Sequence, residues 1–102
     1  MTPKPQAWAF RWNDDRRIES AVLVQESQAL PGRWDVMVDG HARQWHLSTI
    51  VRIEPDAGKA AALRAGCKAA ELAGEVAVDN GLIDRRGADS MVEWTIERLL
   101  GR

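Results

Sequence analysis

The sequence is poor in the residues that form disulfide bonds or metal sites. Its 102 residues include one cysteine, Cys67, which excludes an intramolecular disulfide and a multi-cysteine metal site. Tyrosine is absent and phenylalanine occurs once, whereas there are five tryptophans. No apolar run approaches the roughly 18–20 residues that span a bilayer. The first residues also lack the apolar core of a signal peptide. We therefore expect a soluble cytoplasmic protein with no membrane partner.

The chain also lacks an excess of charge of either sign. Fourteen basic and fifteen acidic residues give a formal net charge of −1. Such a balance does not indicate long-range attraction to nucleic acid or to an anionic membrane. With 45% hydrophobic and 28% charged residues, the composition is that of an ordinary globular protein. The length predicts a single domain over residues 1–102.

The first half of the chain alternates in the manner of β-strands, which the pattern places between about residues 6 and 53. A first strand over residues 6–12 carries its largest side chains on one face. A polar turn at residues 13–17 leads into the second strand. The register that puts both apolar sets on one face pairs Trp8 with Val22.

Asp39-Gly40 predicts a hairpin, because this dipeptide favours a two-residue type I′ turn. The turn fixes Trp34 opposite Trp45 across the two strands. The last strand is expected to continue irregularly to Ile53, with a bulge near Ser48-Thr49. The result is a four-stranded antiparallel meander. Its other face is mixed, and we expect it to be partly solvated or to form a dimer surface: Asp35, Met37, Ala42, Gln44 and His46.

The pattern changes to a helical period at Pro55. It predicts a long helix over about residues 55–79, with Glu54 or Asp56 at its cap and Asn80-Gly81 as its end. Small residues line one side of this helix, flanked by Leu63 and Val76, and we expect them to lie close against the sheet: Ala62, Gly66, Ala69, Ala70, Ala73 and Ala77. The charged side is expected to face solvent: Arg64, Lys68, Glu71, Glu75 and Asp79.

A short C-terminal helix is predicted over about residues 91–100, because Ser90-x-x-Glu93 matches a capping box. The fold class is therefore α+β with two layers. A four-stranded antiparallel meander packs on one long helix, and the short helix closes one end. Trp94 lies off the apolar side of that short helix. Exposed tryptophans are frequent in binding hot spots.

No pattern in the chain indicates an enzyme. His41 and His46, the only histidines, project to opposite faces of a strand, and Cys67 adds no metal-ligand spacing to them. No Gly-x-Ser-x-Gly elbow is present, and Gly58-Lys59 lacks the remainder of a phosphate loop. We therefore expect no catalytic residue, no metal and no cofactor.

The leading hypothesis is a non-enzymatic protein-interaction or regulatory module, whose partner is another protein or a second copy in a homodimer. Its candidate contact residues are Trp94, Met37, Gln44 and His46. The alternative is single-stranded nucleic-acid binding on a sheet face, because aromatic rings beside arginines can stack bases. The neutral charge weighs against this alternative. Its candidate residues are Trp8, Arg11, Trp12 and Arg33.

Overall fold

A computed structural model describes residues 6–101 and shows five strands followed by two helices. The α+β class predicted from the sequence is confirmed, and the long helix packs on the sheet. The elements are β1 Ala7–Trp12, β2 Ile18–Glu26, β3 Arg33–Val38, β4 His41–His46, β5 Ile50–Glu54, α1 Ala57–Asp79 and α2 Arg85–Leu99.

The antiparallel sheet has five strands, in the order β4-β3-β2-β1-β5. β1 to β4 form the predicted four-stranded meander, and β5 is an additional strand at the edge beside β1. A 3-10 turn, Leu47–Thr49, stands where a bulge was expected. The ring Nδ1 of His46 accepts the backbone N–H of Ser48 at 3.3 Å, and the Thr49 hydroxyl donates to the His46 carbonyl at 2.7 Å. These bonds end β4 and redirect the chain, so β5 pairs with the free edge of β1.

This short turn requires the sheet to curl. β4 and β5 lie at opposite edges, and four strand spacings would separate the edges of a flat sheet by about 19 Å. A three-residue link reaches about 14 Å when fully extended, and in 3-10 form it covers about 8 Å. The sheet therefore bends over on itself and has an enclosed inner face and an outer face.

The inner face holds a core of its own, centred on Trp45. The pairing of Trp34 with Trp45 is as predicted. Ala9 lies opposite Ala21, and these small residues leave room for the Trp45 side chain, which is 1% exposed. The guanidinium of Arg11 lies 4.4 Å from the centre of the Trp45 ring.

The outer face of the sheet packs against the helices and forms the second core. Trp8 pairs with Val22 as predicted, and Trp8 and Trp12 pack beside the fully buried Phe10. The buried residues of this core are Phe10, Ala60, Cys67, Ile96 and Leu100. The tryptophans of the sheet are thus divided between two cores, and only those of β1 meet the helices.

Two residues of β5 anchor both helices. Glu54 is 4% exposed and accepts the backbone N–H of Asp56 at 3.0 Å and an N–H of Arg52 at 2.8 Å. Arg52 also donates to the carbonyl of Leu100 at 3.1 Å, just after α2. The backbone hydrogen bond from Asp56, followed by the bond from Arg52, holds the pKa of Glu54 below its ordinary value.

The side of α1 that packs against the rest of the protein is not the side predicted from the sequence. Its buried residues recur every seven positions: Ala60, Cys67 and Gly74. Three residues of the side expected to pack are exposed: Ala62, Ala69 and Ala73. Two carboxylates expected to face solvent contact the protein. Glu71 accepts the backbone N–H of Ile18 at 2.9 Å, and Glu75 pairs with Arg17 at 3.3 Å and Arg85 at 2.9 Å.

The small residues of α1 serve its contact with α2. A Cβ atom at Gly74 would lie 2.6 Å from Cγ2 of Val92, and one at Gly66 would lie 3.2 Å from Cδ1 of Leu99. Glycine at these two positions lets the antiparallel helices approach closely, as interior packing requires.

The ends of α1 are as predicted, but the start of α2 is not. Asp56 caps α1 by accepting the backbone N–H of Lys59 at 2.8 Å. α2 begins at Arg85 because Asp84 accepts the backbone N–H of Gly87 at 2.7 Å and is the true cap. Ser90-x-x-Glu93 therefore lies inside the helix.

Candidate functional site

The sheet residues proposed for a protein interface do not form a separate face. Met37 lies opposite Val22, and Val22 lies opposite Trp8. Directly opposite residues share a face of the sheet, so Met37 is on the outer face, beside the part that the helices cover. The residues expected on a partly solvated face are half-buried or exposed, as expected: Asp35, Met37, Ala42, Gln44 and His46. Their expected position opposite the face that packs on the helices was wrong, because Met37 shares the outer face with Trp8.

Gln44 and His46 are engaged in local structure. The amide of Gln44 donates to the carboxylate of Asp35 at 3.1 Å, and the amide of Gln25 donates to the same carboxylate at 3.1 Å. His46 holds the 3-10 turn, with its Nδ1 2.8 Å from the hydroxyl of Ser48. Gln25, Asp35 and Gln44 thus form hydrogen bonds with one another on the sheet surface, and His46 bonds within its own turn.

The four nucleic-acid candidates are not brought together on one surface. Trp8 and Trp12 pack against the helices. Arg11 alternates to the inner side, where it pairs with Glu19 at 2.6 Å. Arg33 is exposed at the start of β3, away from the other three.

The histidines and the cysteine are also dispersed. His41 and His46 lie at the two ends of β4, and Cys67 is on the buried side of α1. Residues 6–101 contain no group of three His, Cys, Asp or Glu side chains that could hold a metal ion. Burial, with a smaller effect of Glu71, raises the pKa of the Cys67 thiol to about 11.

We expect Cys67 to be unreactive in the folded protein. The raised pKa reduces the thiolate fraction at pH 8 about a hundredfold, and burial blocks access to the sulfur. Alkylation by iodoacetamide, followed by mass spectrometry, should be more than about a hundredfold slower in buffer than in concentrated urea. Equal rates in the two conditions would contradict the burial of Cys67.

The helices carry an apolar surface that faces away from the sheet. The three most exposed large apolar side chains of residues 6–101 are Leu82 at 79%, Leu72 at 64% and Trp94 at 61%. Val76 and Met91 are also exposed. We refer to these five residues as the outer helical face.

Helical geometry places these residues on one side of the helix pair. Trp94 is two positions from the fully buried Ile96, so the two side chains point about 200° apart. Val76 is nine positions from the buried Cys67, so these two point about 180° apart. Since Ile96 and Cys67 both face the sheet core, Trp94 and Val76 both face outward.

A groove runs along α1 on this face. Leu82 borders it because the chain folds back after α1. Gly81 has a φ of +68°, and the backbone N–H of Leu82 donates to the carbonyl of Ala77 at 2.9 Å. Only apolar residues line the groove: Ala69, Leu72, Ala73, Val76, Ala77 and Leu82.

Of this face, the sequence analysis had identified only Trp94. The guanidinium of Arg98 lies 4.8 Å from the centre of the Trp94 ring, and most of the Trp94 side chain remains exposed. The pattern gives no sign of Leu72, and the expectation that Val76 flanks the packed side was wrong, because Val76 is exposed. Alanines occur on several sides of α1 and obscure its orientation. The signal was the alternating three- and four-residue spacing of apolar residues that leads up to Leu72 and Val76: Ala62, Ala65 and Ala69.

Comparison of the chain with protein-family models, with curated proteins and with solved structures finds no match in any of the three. Within residues 6–101, neither helix is both long and apolar enough to cross a membrane.

Proposed function

We propose that the chain is a small, non-enzymatic protein-interaction or regulatory module of the cytoplasm, and that it binds its partner through the outer helical face. One observation carries this proposal: the three most exposed large apolar side chains lie on one side of the helix pair. Burial of apolar surface is the main driving force of protein association. Large contiguous apolar patches on monomers commonly mark interaction sites.

The size of the face suits a specific interface. α1 has 23 residues and α2 has 15, so they are about 35 Å and about 22 Å long, and each helix is about 10–12 Å wide. Together the two helices present about 600–700 Å², which approaches the ~800 Å² per partner of a standard interface. Trp94 supplies an aromatic anchor of the kind enriched in hot spots.

The arrangement of the sheet supports this function over nucleic-acid binding. Trp8 and Trp12, the rings proposed to stack bases, pack against the helices. Arg11 is engaged with Glu19 and with the Trp45 ring. Within residues 6–101, by contrast, no part of the chain covers the outer helical face.

We expect a photo-crosslinking residue at position 72 to capture the partner in cells that express the protein. The matched control carries the crosslinker at Gln28, which is exposed in the β2–β3 loop, away from both helices. Denaturing electrophoresis should show a discrete adduct only for position 72, and mass spectrometry identifies it. Trp94→Ala should weaken this adduct while changing the free energy of unfolding by no more than about 0.5 kcal/mol.

Absence of a discrete adduct at position 72, or equal adducts from both positions, would contradict the proposed function. Unfolding caused by Trp94→Ala would show that the ring is a structural element and would remove its role as an anchor.

A further inference from the structure

We propose that the partner of the outer helical face is a second copy of this chain, bound by antiparallel packing of two α1 helices about a twofold axis. This inference rests on the proposed function and names its partner. Three features of α1 support it: the spacing of its exposed apolar residues, the position of two lone charges, and the order of charge along the helix.

The outward side of α1 carries a heptad repeat. Its apolar residues follow at intervals of three, four, three and four, and all five are exposed in the single chain: Ala62, Ala65, Ala69, Leu72 and Val76. This is the repeat by which two helices pack along their length. The alanines permit close approach, and Leu72 and Val76 supply bulk.

The repeat is suited to pairing with itself. In a twofold dimer the same patch lies on both sides of the interface. When the axis passes between Leu72 and Val76, Leu72 of each copy lies beside Val76 of the other. The two largest residues of the repeat then meet at the centre, where an interface is driest.

Two lone charges select the antiparallel direction. Lys68 and Asp79 are eleven residues apart, about three turns, and therefore lie on the same flank of the repeat. Both are exposed, and within residues 6–101 neither forms an ion pair. The axis between Leu72 and Val76 brings Lys68 of each copy beside Asp79 of the other. In a parallel pair the twofold axis runs along the helices and puts this flank of the two copies on opposite sides of the interface, so neither charge would meet one of opposite sign.

The order of charge along α1 also runs against its own dipole. Bases occupy the N-terminal half and acids the C-terminal half: Lys59, Arg64 and Lys68, then Glu71, Glu75 and Asp79. A helix is stabilised by the opposite order. Glu71 and Glu75 are held by contacts of the chain itself. Asp79 is left at the C-terminal end, where a basic residue from an antiparallel copy would stabilise it.

The interface area fits a stable dimer. Two faces of about 600–700 Å² bury about 1,200–1,400 Å² in total, within the range of specific complexes. A different protein would need no self-complementary pair of charges on this helix, so the pattern favours a second copy.

The first test is the mass of the purified chain in sedimentation equilibrium over a range of concentrations. We expect a dimer of twice the 11.4 kDa chain mass. Leu72→Glu places two carboxylates near the axis and should raise the dissociation constant more than about tenfold. The control is Leu30→Glu, at an exposed leucine of the β2–β3 loop, and it should leave the dissociation constant unchanged. Far-ultraviolet circular dichroism verifies that both variants are folded.

The second test exchanges the lone charges. Lys68→Asp and Asp79→Lys each create two like-charge contacts and should weaken the dimer about three- to tenfold. An equimolar mixture of the two variants should associate as a heterodimer as tightly as the original chain, because both contacts are again between opposite charges. Sodium chloride should reduce these differences.

A chain that stays monomeric, or a dimer unaffected by Leu72→Glu, would overturn the inference. A mixture that associates no better than its components would overturn the antiparallel arrangement. The proposed function is judged separately, because a monomeric chain that still forms an adduct with a different protein at position 72 retains its interaction role.

Discussion

Replacing Trp45 with alanine should lower the free energy of unfolding by about 3–5 kcal/mol. Trp45 is the largest fully buried side chain of residues 6–101, and it fills the interior of the curled sheet. Its neighbours there include Ala9 and Ala21, which are too small to close the space it leaves. Because domains of this size are stable by about 5–15 kcal/mol, the loss removes a large part of the total.

Urea denaturation followed by far-ultraviolet circular dichroism measures this effect without relying on the tryptophan that is changed. Trp45→Phe is the matched control. Within residues 6–101 the Nε1–H of Trp45 has no hydrogen-bond partner, so its removal costs no bond. Phenylalanine should therefore recover more than half of the loss. A Trp45→Ala loss below about 1 kcal/mol would contradict an enclosed inner core.

Gly74→Val should lower the free energy of unfolding by about 2–3 kcal/mol through overpacking. The Cβ atom alone would lie 2.6 Å from Cγ2 of Val92, closer than real contacts allow. Val92 cannot rotate away easily, since a β-branched residue in a helix has one strongly preferred rotamer. The helices would therefore have to separate.

Two further variants isolate this contact. Gly74→Val combined with Val92→Ala should recover most of the loss, because it restores space at the same point of the helix pair. Ala61→Val, at an exposed position of α1, should cost no more than about 0.5–1 kcal/mol through helix propensity. Equal losses for Gly74→Val and Ala61→Val in urea denaturation would exclude close packing at Gly74.

Local chemistry made several elements predictable. Asp39-Gly40 strongly favours one two-residue turn, and this turn fixes the pairing of Trp34 with Trp45. Asp56 likewise offers an oxygen to the first free N–H groups of α1, and Gly81 accepts the positive φ that ends the helix.

Long-range pairing was not predictable from the same reasoning. The stretch after His46 shows strand character, but nothing in its alternation tells which edge of the sheet it joins. The 3-10 turn at Leu47–Thr49 decides this through polar contacts of single residues, and it moves β5 to β1. The curl of the sheet and the enclosed position of Trp45 follow from that one turn.

The predicted buried face of α1 was wrong because two carboxylates of this helix fit the sequence pattern of a solvent-exposed side. Glu71 instead accepts a hydrogen bond from the first residue of β2, and Glu75 accepts one from the first residue of α2. With alanine on several sides of the helix, hydrophobic period alone could not orient it. The candidate site was therefore found only in part: Trp94 was identified, and Leu72, Val76 and Leu82 were not.

The order of elements along the chain has a consequence during synthesis. All five strands precede both helices, so the sheet can close while α1 and α2 are still being made. At about 5–20 residues per second, a ribosome needs about 2–10 s for the helical part. During that interval Phe10 and its flanking tryptophans have no cover. The nascent chain is then most exposed to aggregation and to capture by chaperones, and the arrival of α1 ends this period.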